Sequence, residues 1–71
     1  MVTKRRDVID LIKTAAKSAH LDFSVEEGGS HTVCKLDGLK IPIPRHNEID
    51  KFLVDKIYKE CEPKLGRRWW K

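Results

Sequence analysis

Gly28-Gly29-Ser30-His31-Thr32-Val33-Cys34-Lys35-Leu36-Asp37-Gly38-Leu39-Lys40-Ile41-Pro42-Ile43-Pro44 reads as a turn, a strand, a tight turn and a second strand. Asp-Gly tolerates the two positive φ angles of a type I′ turn, which makes Asp37-Gly38 a strong hairpin signal. A two-residue loop there sets the register. Leu36 faces Leu39, Lys35 faces Lys40, Cys34 faces Ile41, Val33 faces Pro42, Thr32 faces Ile43 and His31 faces Pro44. Side chains alternate along each strand, so these pairs sort onto two faces. Leu36, Leu39, Cys34, Ile41, Thr32 and Ile43 form a core face. Lys35, Lys40, Val33, Pro42, His31 and Pro44 form a wet, basic face that holds a histidine.

The prolines agree with that register. Pro42 and Pro44 fall in non-hydrogen-bonded pairs, where the missing N–H groups point away from the partner strand. Such prolines are tolerated at a sheet edge. Residues 30–36 are therefore predicted as an inner strand and residues 39–43 as an edge strand, with the strand before Gly28-Gly29 on the other side.

Working outward, Leu21, Phe23 and Val25 alternate with Asp22, Ser24 and Glu26 and read as a half-buried strand. Residues 4–19 read as a helix, with Thr3 as N-cap and Val8, Leu11, Ile12, Ala15, Ala16 and Ala19 as its apolar stripe. Lys4-Arg5-Arg6 opens that helix as a solvated first turn, with phosphate contact as the alternative. After Arg45-His46, Asn47 is a suitable N-cap for a second helix ending near Glu62, before Pro63. Ile49, Leu53, Ile57 and Cys61 form its i, i+4 row. The expected fold is α+β. It has the element order α-β-β-β-α of double-stranded-RNA-binding domains, with two helices on one face of a three-stranded antiparallel sheet. Residues 1–63 form the expected domain. Residues 64–71 form a basic tryptophan-containing tail, either loose and available to RNA or docked through one indole.

With 71 residues the chain has room for one small core. Its formal charge of +4 sits in the tail, because Lys/Arg and Asp/Glu balance over residues 1–63. A basic chain suggests an anionic partner, but a nucleic-acid surface on the domain needs local segregation of charge. Cys34 and Cys61 lie on apolar faces and read as buried free thiols. They are too few for a disulfide framework or a metal site. No apolar run is long enough to cross a membrane, so a cytoplasmic protein is expected.

The chain resembles the HicA family of small α-β-β-β-α toxins over roughly residues 4–62. The resemblance rests on Gly29-Ser30-His31 at the start of the second strand, the Lys35 to Lys40 hairpin, and the Pro44-Arg45-His46 exit into the last helix. It implies an mRNA interferase of a type II toxin–antitoxin pair. It also implies cleavage without a metal or other cofactor, dependence on the strand histidine at His31, and a HicB-like antitoxin that covers that surface. Thr32 and the Arg67-Arg68-Trp69-Trp70 extension depart from the family pattern.

Metal-independent RNA cleavage needs a base for the 2′-hydroxyl, an acid for the 5′-oxygen and positive charge near the phosphorane. An imidazole, with an ordinary pKa of about 6.5, can serve as base or acid at neutral pH. His31 is the candidate catalytic residue. Ser30, Lys35, Lys40, Arg45 and His46 are the candidate RNA contacts. Lys35 directly opposite Lys40 is unfavourable, and a phosphate between them relieves the repulsion; alternatively both side chains splay into water. His46 either shares the His31 face or only positions Asn47. A non-catalytic double-stranded-RNA-binding module is the alternative function, although Asn47-Glu48-Ile49-Asp50-Lys51 is acidic where such modules carry a lysine cluster. A protein-interaction domain is a third.

Overall fold

In the computed structural model, which describes residues 2–29 and 31–70, Asp37 and Gly38 have φ of 50° and 87°, as a type I′ turn requires. The turn joins β3 (His31–Leu36) to β4 (Leu39–Pro44). Their pairing is the predicted one at every position from Leu36↔Leu39 to His31↔Pro44. The strand β2 (Phe23–Glu27) pairs antiparallel with β3, Phe23 opposite Leu36 and Glu27 opposite Thr32. The order is β2-β3-β4, so the prolines do lie on an edge strand.

One face of this sheet is dry. Thr32, Cys34, Leu36, Ile41 and Ile43 are fully buried. They join Val8, Ile12 and Ala16 of α1 (Arg5–Ser18) and Val54, Ile57 and Tyr58 of α2 (Lys51–Glu60) in one core, with Cys61. The α1 stripe is narrower than the sequence pattern predicts: Leu11 and Ala19 are exposed. The protein is thus a small α+β domain whose three-stranded antiparallel sheet keeps its other face open to solvent.

Both predicted helix caps are corrected. Thr3 lies in β1 (Val2–Lys4) and Asn47 precedes β5 (Glu48–Asp50). These pair antiparallel, Thr3 opposite Ile49 and Lys4 opposite Glu48. The ribbon replaces side-chain capping, because the Arg5 N–H donates to the Asn47 carbonyl at 2.9 Å, satisfying one of the first-turn donors. Ile49 is buried as the inward residue of a strand rather than as the first of a helical row. α2 accordingly starts at Lys51 and ends at Glu60. Pro63 then falls in the first turn of a short helix, α3 (Glu62–Leu65), where its missing N–H costs nothing.

The last residues are not loose. Leu65, Trp69 and Trp70 pack against the core. The Trp69 indole N–H donates to the Tyr58 carbonyl at 2.7 Å, and its ring meets Tyr58 edge-on at 5.2 Å. Trp70 lies 5.8 Å from the same tyrosine ring. Both indoles can use one phenol because the chain turns between them, with Arg68 at a φ of 55°. Among the described residues no helix is long and apolar enough to cross a membrane.

Trp69→Ala removes a half-buried aromatic and a hydrogen bond. Chemical denaturation should register a loss of about 1–3 kcal/mol, and deleting residues 67–71 should cost at least as much. An unchanged denaturation midpoint in both variants would show that the aromatic cluster contributes nothing to the fold.

Candidate functional site

Parity puts His31 outward. It is the first residue of β3, its neighbour Thr32 points into the core, and the imidazole is exposed. The His31 carbonyl accepts the Gly28 N–H at 3.0 Å and closes the Gly28-Gly29 turn. A Cβ at Gly28 would meet that carbonyl oxygen at 3.2 Å, so a small residue suits the position. Ser30 lies outside the described residues.

The turn is clamped from below by a carboxylate. Glu27 continues the inward phase of Phe23 and Val25, placing an acid on the core side at the end of the sheet. It accepts from the Thr32 hydroxyl at 3.1 and 3.2 Å and from Arg5 at 3.3 Å. The other partner is Arg45, at 2.6 Å. Arg5 also donates to the Thr32 hydroxyl. The second amino group of Arg45 reaches the carbonyls of Gly28 at 3.3 Å and Gly29 at 3.2 Å. Desolvation raises the Glu27 pKa, but the Thr32 hydroxyl and the Arg45 and Arg5 guanidiniums outweigh it and hold the carboxyl below its ordinary 4.5. The Arg5 Nε is buried without a partner.

Arg5 is therefore no member of a solvated first turn. It sits three residues before Val8 and seven before Ile12, on the buried stripe of α1. That spacing, and Glu27 in phase with Phe23 and Val25, are the signals that point to this clamp in the sequence.

The hairpin lysines are differently placed. Lys35 lies four residues along β3 from His31, about 13 Å at strand rise, toward the Asp37-Gly38 turn. Its ammonium pairs with Glu26 at 2.7 Å. Hydrogen bonding and charge from Lys35 hold Glu26 below the usual carboxylate range, against a smaller opposing effect of desolvation and with help from Lys40. Glu26 thus already relieves the Lys35–Lys40 repulsion, and a phosphate is not required for it. The fold brings Arg45 to the His31 turn and leaves Lys35 and Lys40 at the far end of the same face. His46 is exposed.

The thiols belong to the core. Desolvation pushes Cys34 up to about 11 and Cys61 up to about 12, so both are protonated at neutral pH. Among the described residues no three His, Cys, Asp or Glu side chains gather as a metal site. The chain matches no known family model, and no curated protein or solved structure is significantly similar to it.

Two measurements test this site. Because the Glu27 pKa is depressed, its contribution is fully present above about 4.5 and is lost as pH falls through the lower folded value. The Gly28 and Gly29 amide resonances should shift in that acid window, and Glu27→Gln should displace them already at neutral pH. Resonances insensitive to both changes would separate the turn from the clamp. Cys34 and Cys61 should resist a thiol reagent at pH 8 in the native protein and react on unfolding; rapid native labelling would contradict their burial.

Proposed function

We propose that this protein is an endoribonuclease of the HicA type, an mRNA interferase that cleaves RNA at His31 without a metal. The observation that carries this reading is the exposed imidazole beside a glycine turn whose carbonyls are gripped by Arg45. An acid–base group, an approachable backbone and a fixed guanidinium meet at one end of an open sheet face. Few structural needs account for a histidine there, since it fills no core volume. The sheet under two helices is read in the same way as a double-stranded-RNA-binding-domain-like fold carrying a catalytic group.

In the proposed reaction the His31 imidazole takes the proton of a ribose 2′-hydroxyl, and the 2′-oxygen attacks the adjacent phosphorus. The bond from phosphorus to the 5′-oxygen breaks as that oxygen takes up a proton. The products are a 2′,3′-cyclic phosphate and a 5′-hydroxyl. Arg45, already oriented by Glu27, supplies positive charge for the phosphorane. His46 follows Arg45 and is the nearest histidine in sequence to donate the leaving-group proton. The Gly28-Gly29 turn gives the RNA backbone close access. A HicB-like antitoxin is the proposed partner, covering the His31 face. Lys35 and Lys40 remain proposed outer contacts, with Lys35 shared with Glu26. Non-catalytic duplex binding is less well supported, because Glu48 and Asp50 lead into the last helix and repel phosphate.

The test is cleavage of one labelled RNA in chelator from pH 5 to 9. His31→Ala should lose about 10²–10⁴ of the rate while keeping the wild-type melting curve, since the side chain is exposed. His46→Ala distinguishes a lone histidine, which leaves most activity, from an acid–base pair, which removes one limb of the pH profile. A folded His31→Ala protein that cuts at the wild-type rate would falsify the catalytic assignment.

A further inference from the structure

The wet face has its free positive charge in the wrong place for His31 if the hairpin lysines are its phosphate contacts. They lie about 13 Å away along the strand, and Lys35 is held by Glu26. The opposite end of the sheet is different. Arg5 reaches Thr32, the residue after His31, and its N–H is bonded to the Asn47 carbonyl. Arg45, two residues before Asn47, grips the turn before His31. The start of α1, the exit from β4 and the His31 turn are thus gathered at one end of the molecule.

A groove of about 510 Å³ opens there, lined by Lys4, Arg5, Arg6, Asn47 and Glu48. Three cations face one acid. Arg5 is committed to Glu27 and Thr32. Lys4 is exposed, and the single ion pair of Arg6, with Asp7, is long at 3.9 Å between two well-exposed groups, which contributes little. Lys4 and Arg6 therefore have charge to offer a ligand. A groove with fixed walls and a net positive lining suits a phosphodiester backbone more than a neutral metabolite.

Resting on the proposed ribonuclease reading, we infer that this groove is a second phosphate subsite, holding the RNA backbone beyond the bond presented to His31. Arg5, Glu27 and Arg45 form the rigid bridge between subsite and turn. Glu48, across from Lys4 in the ribbon, is the acid that limits affinity.

The test is binding of a fluorescein-labelled, fully 2′-O-methyl single-stranded RNA, which cannot be cut through its 2′-oxygen, over a salt series. Lys4→Gln with Arg6→Gln should weaken binding about tenfold at 0.15 M salt and reduce the slope of log affinity against log salt by about one. Lys13→Gln with Lys17→Gln, the same charge change elsewhere on α1, should do neither. Lys4→Arg with Arg6→Lys should restore binding, and Glu48→Gln should tighten it. Equal weakening by the two Gln pairs would reduce the effect to net charge and overturn the subsite. So would unchanged affinity in the Lys4/Arg6 pair, or no RNA binding by the wild type. Cleavage of the unmodified RNA is scored in parallel. If the binding pattern holds and nothing is cut, the ribonuclease reading fails and the subsite stands; if the RNA is cut and the Lys4/Arg6 pair binds normally, the reverse holds.

Discussion

The parity set by the Asp37-Gly38 turn is the constraint on which the rest of the molecule depends. A two-residue loop allows one register between β3 and β4, and a slip of one residue would exchange the two faces completely. Cys34, Ile41 and Ile43 would leave the core and His31 would enter it. With the observed parity the same strand seals the domain on one side and presents an imidazole on the other. Thr32 shows the coupling most directly. It is fully buried, yet its hydroxyl is satisfied by Glu27 and Arg5, groups that also hold the neighbouring turn.

The Arg5–Glu27–Arg45 bridge is better understood as a device for position than for stability. Its ion pairs are half-exposed, and pairs of that kind contribute little net free energy. What they supply is geometry. One carboxylate fixes two guanidiniums, one from the start of α1 and one from the exit of β4, so three segments distant in the chain meet beside His31. The edge prolines serve the same end, since Pro42 and Pro44 deny the outer strand a further partner.

The hairpin was fully legible in the sequence because its turn chemistry, alternation and prolines all agree. The two helices were legible from period, and their ends were not. Val2-Thr3-Lys4 and Glu48-Ile49-Asp50 form strands of three residues, too short to show alternation, and only pairing with each other makes them strands. Their formation moved the caps away from Thr3 and Asn47. The domain boundary at residue 63 failed to anticipate the core contacts of Trp69 and Trp70, because adjacent residues share a face only when the backbone turns between them. Arg45 was a candidate from its place after Pro44. Arg5 and Glu27 were visible as charged residues in phase with apolar stripes, a pattern that marks either an error of phase or a paired buried charge.

The central claim is that RNA meets this protein at the end of the sheet where β3 begins. Backbone amide shifts on titration with an uncleavable 2′-O-methyl RNA test it most directly. The account predicts that the changes gather at Lys4–Arg6, Gly28, Gly29, His31 and Arg45–Asn47, with the outer face of α1 unaffected. Changes confined to the Lys35–Lys40 hairpin tip, or to the Trp69–Trp70 cluster, would contradict it.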